Sequence, residues 1–354
     1  MPTEAQLVED LGVSRKTVRA ALSQLEQQGI LVAQRGRGRV VAGDINARPG
    51  MLTKAVVVLT ALPDAKSNPY LLKAASDKVV ETAAVSAIEM AGLHTFVLNP
   101  RGLSLSAMDD LVRERPYGVL AAHGVADLSE GPDILHYLQK QGIPVVAHGD
   151  AEGLADVDRV AADQYGGGLQ LVQWLIDHGA RRILRVRADA RPTYWRIARD
   201  RAYEDAIRRA GLECLPPLLL QGYQRRSLSP NEANFRGRAR LMAGYLLEHL
   251  SGDAKIDAIL LPTDLDVHPA AAACRLLGKR PGEEVEIVGF DNLWQNCWER
   301  EFEDYVPPVT VEKHDGRTGS AMVDLLTRRI AGQLAEAPQR VLVETELISV
   351  ATSG

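Results

Sequence analysis

Arg15, Lys16 and Arg19 lie within one short stretch, and the run Arg35-Gly36-Arg37-Gly38 follows it. These residue types suit a nucleic-acid duplex. The guanidinium fork of arginine can hold both O6 and N7 of guanine in the major groove. Lysine ammoniums and the amides of a glycine-rich hairpin can hold phosphates and fix the register. The plain alternative is a solvated helix followed by an ordinary basic turn. A second set lies far along the chain. Arg199 offers a planar set of donors and Asp264 can accept from two hydroxyls, which is the chemistry a polyol needs. Arg199 is otherwise a surface residue on an arginine-rich helix face, beside Arg196 and Arg201, and Asp264 otherwise a helix N-cap after a strand. Tyr194 and Trp195 open the helix that carries Arg199, and their rings can stack on a sugar or pack in a core. Trp294 and Trp298 share that ambiguity. His123, His148 and His314 are scattered singly and read as lining or capping residues, not as metal ligands.

The first set needs a helix and a hairpin to present it. Ser14 supplies an N-cap, and Val18, Leu22 and Leu25 recur at i, i+4 and i+7 as one apolar stripe. Arg15, Lys16 and Arg19 fall on the neighbouring face. Gly29 suits a left-handed helix end. Residues 30–32 and 39–41 read as short strands joined by the Arg-Gly turn. Upstream, Thr3 with Gln6 makes a capping box; it opens a helix that presents Leu7 and Leu11 and stops at Gly12. Residues 44–53 have no periodicity and contain Pro49 and Gly50, so they read as a linker.

The second set needs a different scaffold. Ala55-Val56-Val57-Val58-Leu59-Thr60 suits a strand buried on both faces. From there, apolar runs alternate with helical stretches closed by Gly92, Gly142, Gly179 and Gly211. Alternation of this kind is the mark of a doubly wound parallel sheet. It restarts after residue 160, which implies two lobes. Residues 221–240 are polar and read as a loop.

The stretch PTEAQLVEDLGVSRKTVRAALSQLEQQGILVAQRGRGRVV, residues 2–41, resembles the winged helix-turn-helix domain of the GntR family of bacterial regulators. The resemblance implies DNA contacts from Arg15, Lys16, Thr17 and Arg19 at the start of the second helix, and from Arg35 and Gly36 in the wing. Arg39 stands where the family has a small hydroxyl residue. The family also places a helix and a short connection before the PTE motif, whereas here Met1 directly precedes Pro2. Leu7, Leu11, Val18, Leu22 and Leu25 then lack one covering helix, so a head of residues 1–43 is expected to be locally unstable.

Residues 54–349 resemble the effector-binding domain of the LacI/GalR family, which shares the two-lobed fold of periplasmic sugar-binding proteins. The resemblance is carried by GIPVVAHGD, WLIDHGARRILRV, ARDRAYEDAIRRAGLE, LPTDLDVHPAAAACRLLG, EVEIVGFDN and PPVTVEKHD. A GntR head on such a body resembles the arabinose-repressor class. What it implies is an α/β body, residues 54–354, of two doubly wound parallel sheets, behind a small winged helix-turn-helix domain. The chain should cross between lobes near 161–164, 291–294 and 311–314. A ligand should sit between the lobes at the carboxyl ends of the strands. The family's cleft residues fall on Arg199, Asp264, Asp291 and His314, with Trp195 as a stacking face. Two departures bear on the ligand: Thr263-Asp264 stands for the usual Asn-Asp, and His314 stands where Gln is common.

The bulk numbers agree with this division. The 354 residues are too many for the head alone and enough for a large second domain. The net charge is −5, but residues 1–43 carry about +2, leaving about −7 on the rest. A basic head on an acidic body suits local docking on DNA. Cys214, Cys274 and Cys297 are odd in number and lack metal spacing, as free thiols in a reducing compartment would. No signal-type apolar run opens the chain and no stretch is long enough to span a bilayer, so a cytoplasmic protein without a membrane partner is expected. There is no P-loop, GxSxG or HExxH, and the third glycine position after Gly36-Arg37-Gly38 holds Val41; neither an enzyme nor a cofactor is expected. The expected protein is a ligand-responsive repressor of a carbohydrate-related operon. Its partners would be double-stranded operator DNA, a sugar or sugar derivative, and a second copy, since a two-fold homodimer reads a palindrome. The alternative is a sugar-binding protein with a non-functional DNA-binding head.

Overall fold

The computed structural model describes residues 3–27, 31–34, 38–41, 52–60, 76–101, 105–122, 124–126, 128–188, 192–223, 230–252 and 255–350. In the head, α1 (Glu4–Leu11) starts from a reciprocal capping box between Thr3 and Gln6 and stops at Gly12, whose φ of 64° is left-handed. Helix α2 (Arg15–Gln27) starts at Ser14, whose hydroxyl accepts from the Thr17 amide at 3.2 Å. Strands β1 (Leu31–Gln34) and β2 (Gly38–Val41) pair antiparallel, with Leu31 opposite Val41. Val18, Leu22 and Leu31 form a small buried core, against which Leu7, Val8 and Leu25 pack. Leu11 stays outside it, 63% exposed. The wing turn with Arg35 and Gly36, and residues 42–51, lie outside the described residues.

The body alternates as its sequence predicts. Its first part runs β3 (Ala55–Leu59), α3 (Ser76–Met90), β4 (His94–Leu98), α4 (Leu105–Arg113), β5 (Gly118–Ala121), α5 (Gly131–Lys140), β6 (Val145–His148) and β7 (Asp158–Ala162). Next come α6 (Gln164–Asp177), β8 (Ile183–Arg187), α7 (Tyr194–Arg209), β9 (Leu218–Leu219), α8 (Glu232–Leu246), β10 (Ala258–Leu260), α9 (Val267–Leu276) and β11 (Glu286–Val288). The last part is β12 (Val309–Glu312), α10 (Asp315–Ile330), β13 (Arg340–Val343) and β14 (Glu346–Ser349). The first lobe is built on a parallel sheet in the order β13-β7-β6-β5-β3-β4, the second on β11-β10-β8-β9, also parallel.

Strand β3 shows why its run is apolar throughout. Successive side chains point to opposite faces: Val57 and Leu59 enter one core with Ile134 and Leu138, while Val56 and Val58 enter another with Ile88 and Leu326. The glycines that end α3, α5, α6 and α7 all have positive φ, from 67° to 99°. Of the expected loop 221–240, residues 232–240 belong instead to α8 (Glu232–Leu246), and 224–229 lie outside the described residues. Asn231 caps α8 through its side chain, and Phe235, Met242 and Leu246 form its buried stripe.

Three passages join the lobes. One lies between β7 and α6, at Asp163. One lies between β12 and α10, at Lys313 and His314. The third lies between β13 and β14, at residues 344–345. The expected crossing at 291–294 is not one. Those residues stay with the second lobe, because β12 does not leave for the first sheet: Val309 and Val311 pack with Val172 and Phe290. Strand β12 pairs antiparallel with β14 instead, Val311 opposite Leu347. No helix among the described residues is long and apolar enough to cross a membrane.

Candidate DNA-contact face and effector cleft

Helix α2 turns Val18 and Leu22 into the head's core, and geometry then forces Arg15, Lys16, Thr17 and Arg19 outward; all four are exposed. The Thr17 hydroxyl lies 2.8 Å from that of Ser14, so it takes part in the helix start. An exposed basic first turn is a shape that a major groove accepts, with fork donors for base edges and an ammonium for phosphate.

The second site forms where the passages meet the second lobe. Arg199, on α7, donates through Nε (2.8 Å) and Nη2 (2.6 Å) to Oε1 of Gln164, through Nη1 to the Pro262 carbonyl (2.5 Å), and through Nη2 to Oδ1 of Asp291 (3.1 Å). Its guanidinium carbon lies 3.4 Å from the centre of the Phe290 ring and 5.0 Å from that of Trp195. Lys313, from the β12–α10 passage, reaches the same Asp291 oxygen at 3.2 Å. Burial alone would raise the Asp291 carboxyl, but Lys313, Arg199 and Thr263 outweigh it and hold it at about 2. Burial depresses Arg199 below the usual arginine range against the pull of Asp291.

The backbone here is held in an uncommon shape. Asp291 (φ 92°), Asn292 (φ 52°) and His314 (φ 56°) all occupy the left-handed side. Such conformations persist only where the surroundings over-determine them. The Asp291 amide donates to the Val311 carbonyl (3.0 Å), the Asn292 amide to the Thr310 hydroxyl (3.3 Å), and the Asn292 side chain to Glu312 (3.0 Å). The His314 amide donates to the other Glu312 oxygen (2.8 Å), and its Nε2 lies 3.2 Å from Glu346 on β14. Three strained residues are thus stitched to the strand pair that joins the lobes.

Asp264, read from the sequence as an acceptor for ligand hydroxyls, is instead 0% exposed. Its Oδ2 accepts from the Leu293 amide (2.9 Å) and the Thr310 hydroxyl (2.8 Å); its Oδ1 is buried without a hydrogen-bond partner. Burial raises its carboxyl to about 7, with Asp291 adding to the rise against the Thr310 and Leu293 bonds. Oδ1 faces Gly289, where a Cβ would overlap it. The structure thus brings Arg199, Asp291, Trp195 and, at the passage, His314 to one end of the second lobe, with Asp264 beneath. Tyr194 reaches across: a Cβ built at Gly149 of the first lobe would meet its ring at 3.1 Å. Sequence reasoning missed Gln164 and Lys313. Both sit inside expected passages, and that position was the available signal.

Comparison with known proteins finds a match in the head and another in the body. Residues 1–41 match the family described as bacterial regulatory proteins, gntR family, and residues 172–352 match the periplasmic binding protein-like domain. The HTH-type transcriptional regulator CelR of Thermobifida fusca is 29% identical over 214 residues, 60% of this chain. That match spans 57% of the relative's length. A solved transcriptional regulator CelR-cellobiose complex superposes with a TM-score of 0.61 at 21% identity, over 98% of each chain. A regulatory protein of the LacI family from Chloroflexus aggregans gives 0.64 at 21% identity, over 86% of this chain and 99% of that one.

Proposed function

Because the chain belongs to the periplasmic binding protein-like family, and residues 1–41 match the gntR regulators, we propose that it is a DNA-binding transcriptional regulator controlled by a small molecule. The observation that carries this reading is the union of two parts in one chain: the exposed Arg15, Lys16, Thr17 and Arg19 face, and a two-lobed body whose passages gather Arg199, Asp291 and Lys313. In the head, Arg15 and Arg19 read base edges, while Lys16, Thr17 and the wing residues Arg35 and Gly36 hold the operator backbone. In the body, a sugar or sugar derivative lies between the lobes. Arg199, Asp291 and His314 bond its hydroxyls, Trp195 offers a ring face, and Asp264 supports the Leu293 turn from beneath.

The relatives are regulators, and one was solved with cellobiose, which makes a gluco-disaccharide the first effector to try. The protein works in the cytoplasm as a homodimer and represses a carbohydrate-related operon without catalysing a reaction. Effector binding changes lobe closure, and closure resets the spacing of two heads on a palindrome. The test is fluorescence anisotropy of the full chain on DNA from upstream of its own gene, with and without cellobiose. An effector should change operator affinity by about 5- to 150-fold, and Arg199→Ala should abolish the change. Sugar binding with no sequence-specific DNA binding would leave a sugar-binding protein and sink the regulator.

A further inference from the structure

The three passages between the lobes are tied to one another and to the Arg199–Asp291 pair. At the first passage, Oε1 of Gln164 accepts from both Nε and Nη2 of Arg199. At the second, the Lys313 ammonium lies 3.2 Å from Oδ1 of Asp291, the oxygen that Arg199 also reaches at 3.1 Å. At the third, the Thr345 hydroxyl donates to the Asp163 carbonyl of the first (3.3 Å). There is no slack where they meet. A Cβ built at Gly167, in the first turn of α6, would lie 2.7 Å from the Thr345 hydroxyl, 2.9 Å from Cγ1 of Val311 and 3.0 Å from the Phe290 ring that lies under Arg199. Packed elements of this kind move between discrete arrangements and do not deform smoothly.

Lys313 has a second acceptor. Its ammonium is 3.7 Å from Oδ1 of Asp315, the first residue of α10. The two carboxylates belong to different lobes. Asp291 follows Phe290 of the second-lobe core, and α10 packs through Met322 and Leu326 on the first-lobe sheet. The Lys313 side chain is only 12% exposed, so water and salt screen these attractions less than at the surface. Between Lys313 and Asp315 stands His314, in its left-handed conformation. An ammonium between two carboxylates, beside a strained residue of a passage, is an element with two settings.

We propose that Lys313 couples the effector site to lobe movement: its ammonium shifts between Asp291 and Asp315, and carries the state of the Arg199–Asp291 pair into the second passage without touching the effector. The inference rests on the reading of the cleft as an effector site. An effector hydroxyl that bonds Asp291 or Arg199 competes for the oxygen that holds Lys313, and the ammonium then turns towards Asp315 and the first lobe. Lys313 is thus a positioning residue.

The test uses the full chain with Lys313→Met, which keeps the length of the side chain and removes its charge, and Lys313→Arg, which keeps the charge. Calorimetry with cellobiose should give an affinity for Lys313→Met within about threefold of the wild type. Operator anisotropy should show the effector response, about 5- to 150-fold in the wild type, falling below about twofold in Lys313→Met and partly restored in Lys313→Arg. Asp315→Asn, which weakens the other setting, should lower the response from the first-lobe side. Hydrogen exchange without sugar should show the amides of Asp291, Asn292 and His314 exchanging at least about tenfold faster in Lys313→Met, with the amides of β3 unchanged. A full response in Lys313→Met or in Asp315→Asn overturns the proposal and leaves the effector reading standing. Joint loss of cellobiose affinity and response in Lys313→Met also overturns it, since Lys313 would then be a ligand contact. So does unchanged exchange at the three amides, whatever the sugar does. Faster exchange there in a protein that does not bind cellobiose supports the Lys313 latch and removes cellobiose as effector.

Discussion

Arg15 and Lys16 are neighbours with different work to do, and their chemistry separates them. A fork bonded to guanine carries base preference, whereas an ammonium on phosphate carries none. Arg15→Ala should therefore cost about 1–3 kcal/mol of operator affinity and relax preference at one base position, while Lys16→Ala should weaken all sequences alike and lower the salt slope by about one unit. Anisotropy titrations against operator and scrambled DNA at several salt concentrations check both; unchanged operator affinity for Arg15→Ala would move the recognition face elsewhere. In the body, Asp264 and Asp291 are two carboxylates with opposite fates. Asp291 is held at about 2, so its contribution is present above its ordinary 3.8 and disappears as pH falls through 2. Asp264 is raised to about 7, so the stability tied to its proton is complete below 3.8 and disappears as pH rises through 7. Asp264→Asn keeps an acceptor for Leu293 and Thr310 without the charge. Urea unfolding between pH 4 and 8 should show stability falling by a few kcal/mol in the wild type, at about 1.4 kcal/mol per pK unit, and a flatter curve in the variant. Parallel curves would mean that Asp264 does not titrate in this window.

Helices α3 and α10 show how closely elements are set in the first lobe. A Cβ at Gly319 would overlap the carbonyl oxygen of Val80 and come within 2.8 Å of the Ala84 amide nitrogen. Two effects compete in Gly319→Ala. Helix propensity favours alanine by about 1 kcal/mol, and forced separation of packed backbones costs about 1–3 kcal/mol or more. The obstruction is backbone, which cannot swing aside as a side chain can, so the steric effect should win and the urea midpoint should fall. A midpoint that rises would show that α3 and α10 can part freely. The strand pair β12 and β14 is the other critical element. It carries two of the three passages between lobes at its ends and anchors the turn of Asp291 and Asn292 through Val311, Thr310 and Glu312. Hinge motion therefore has a defined place to act, and Asp291, in the strained turn, is also the residue that pairs with Arg199.

For the whole molecule, no strand or helix among the described residues pairs with or covers one edge of the first lobe. Strand β4 is the last in its sheet, and Phe96 (45%) and Val97 (52%) are exposed on it, with Val79 and Met90 exposed on α3. An open strand edge with apolar side chains is a template for another chain. The homodimer proposed from the palindrome argument would find its second copy here. Phe96→Glu should shift the protein from dimer towards monomer in sedimentation velocity and weaken operator binding with it, because one head reads half a palindrome. A variant that stays dimeric would place the interface on another face.

The sequence alone was enough for whatever depends on near neighbours. The capping box of Thr3 and Gln6, the stripe of Val18 and Leu22, the glycine stops and the apolar run of β3 are decided within a turn or a strand, so their spacing reports them directly. The alternation of strand and helix then led to two parallel sheets. Resemblance placed Arg199 and Asp291 near a ligand, and the structure does bring them together. What spacing could not report is where distant segments meet. Whether residues 291–294 cross between lobes depends on β12 choosing β14 as partner and on Val309 and Val311 packing under α6. Whether Asp264 faces a cleft or a core depends on Thr310, Leu293 and Gly289, three segments away in the chain. The meeting of Arg185 and Arg187 at one oxygen of Asp200 likewise exists only once α7 lies across β8. Pairing and burial are properties of the folded surroundings, and only the tertiary structure supplies them.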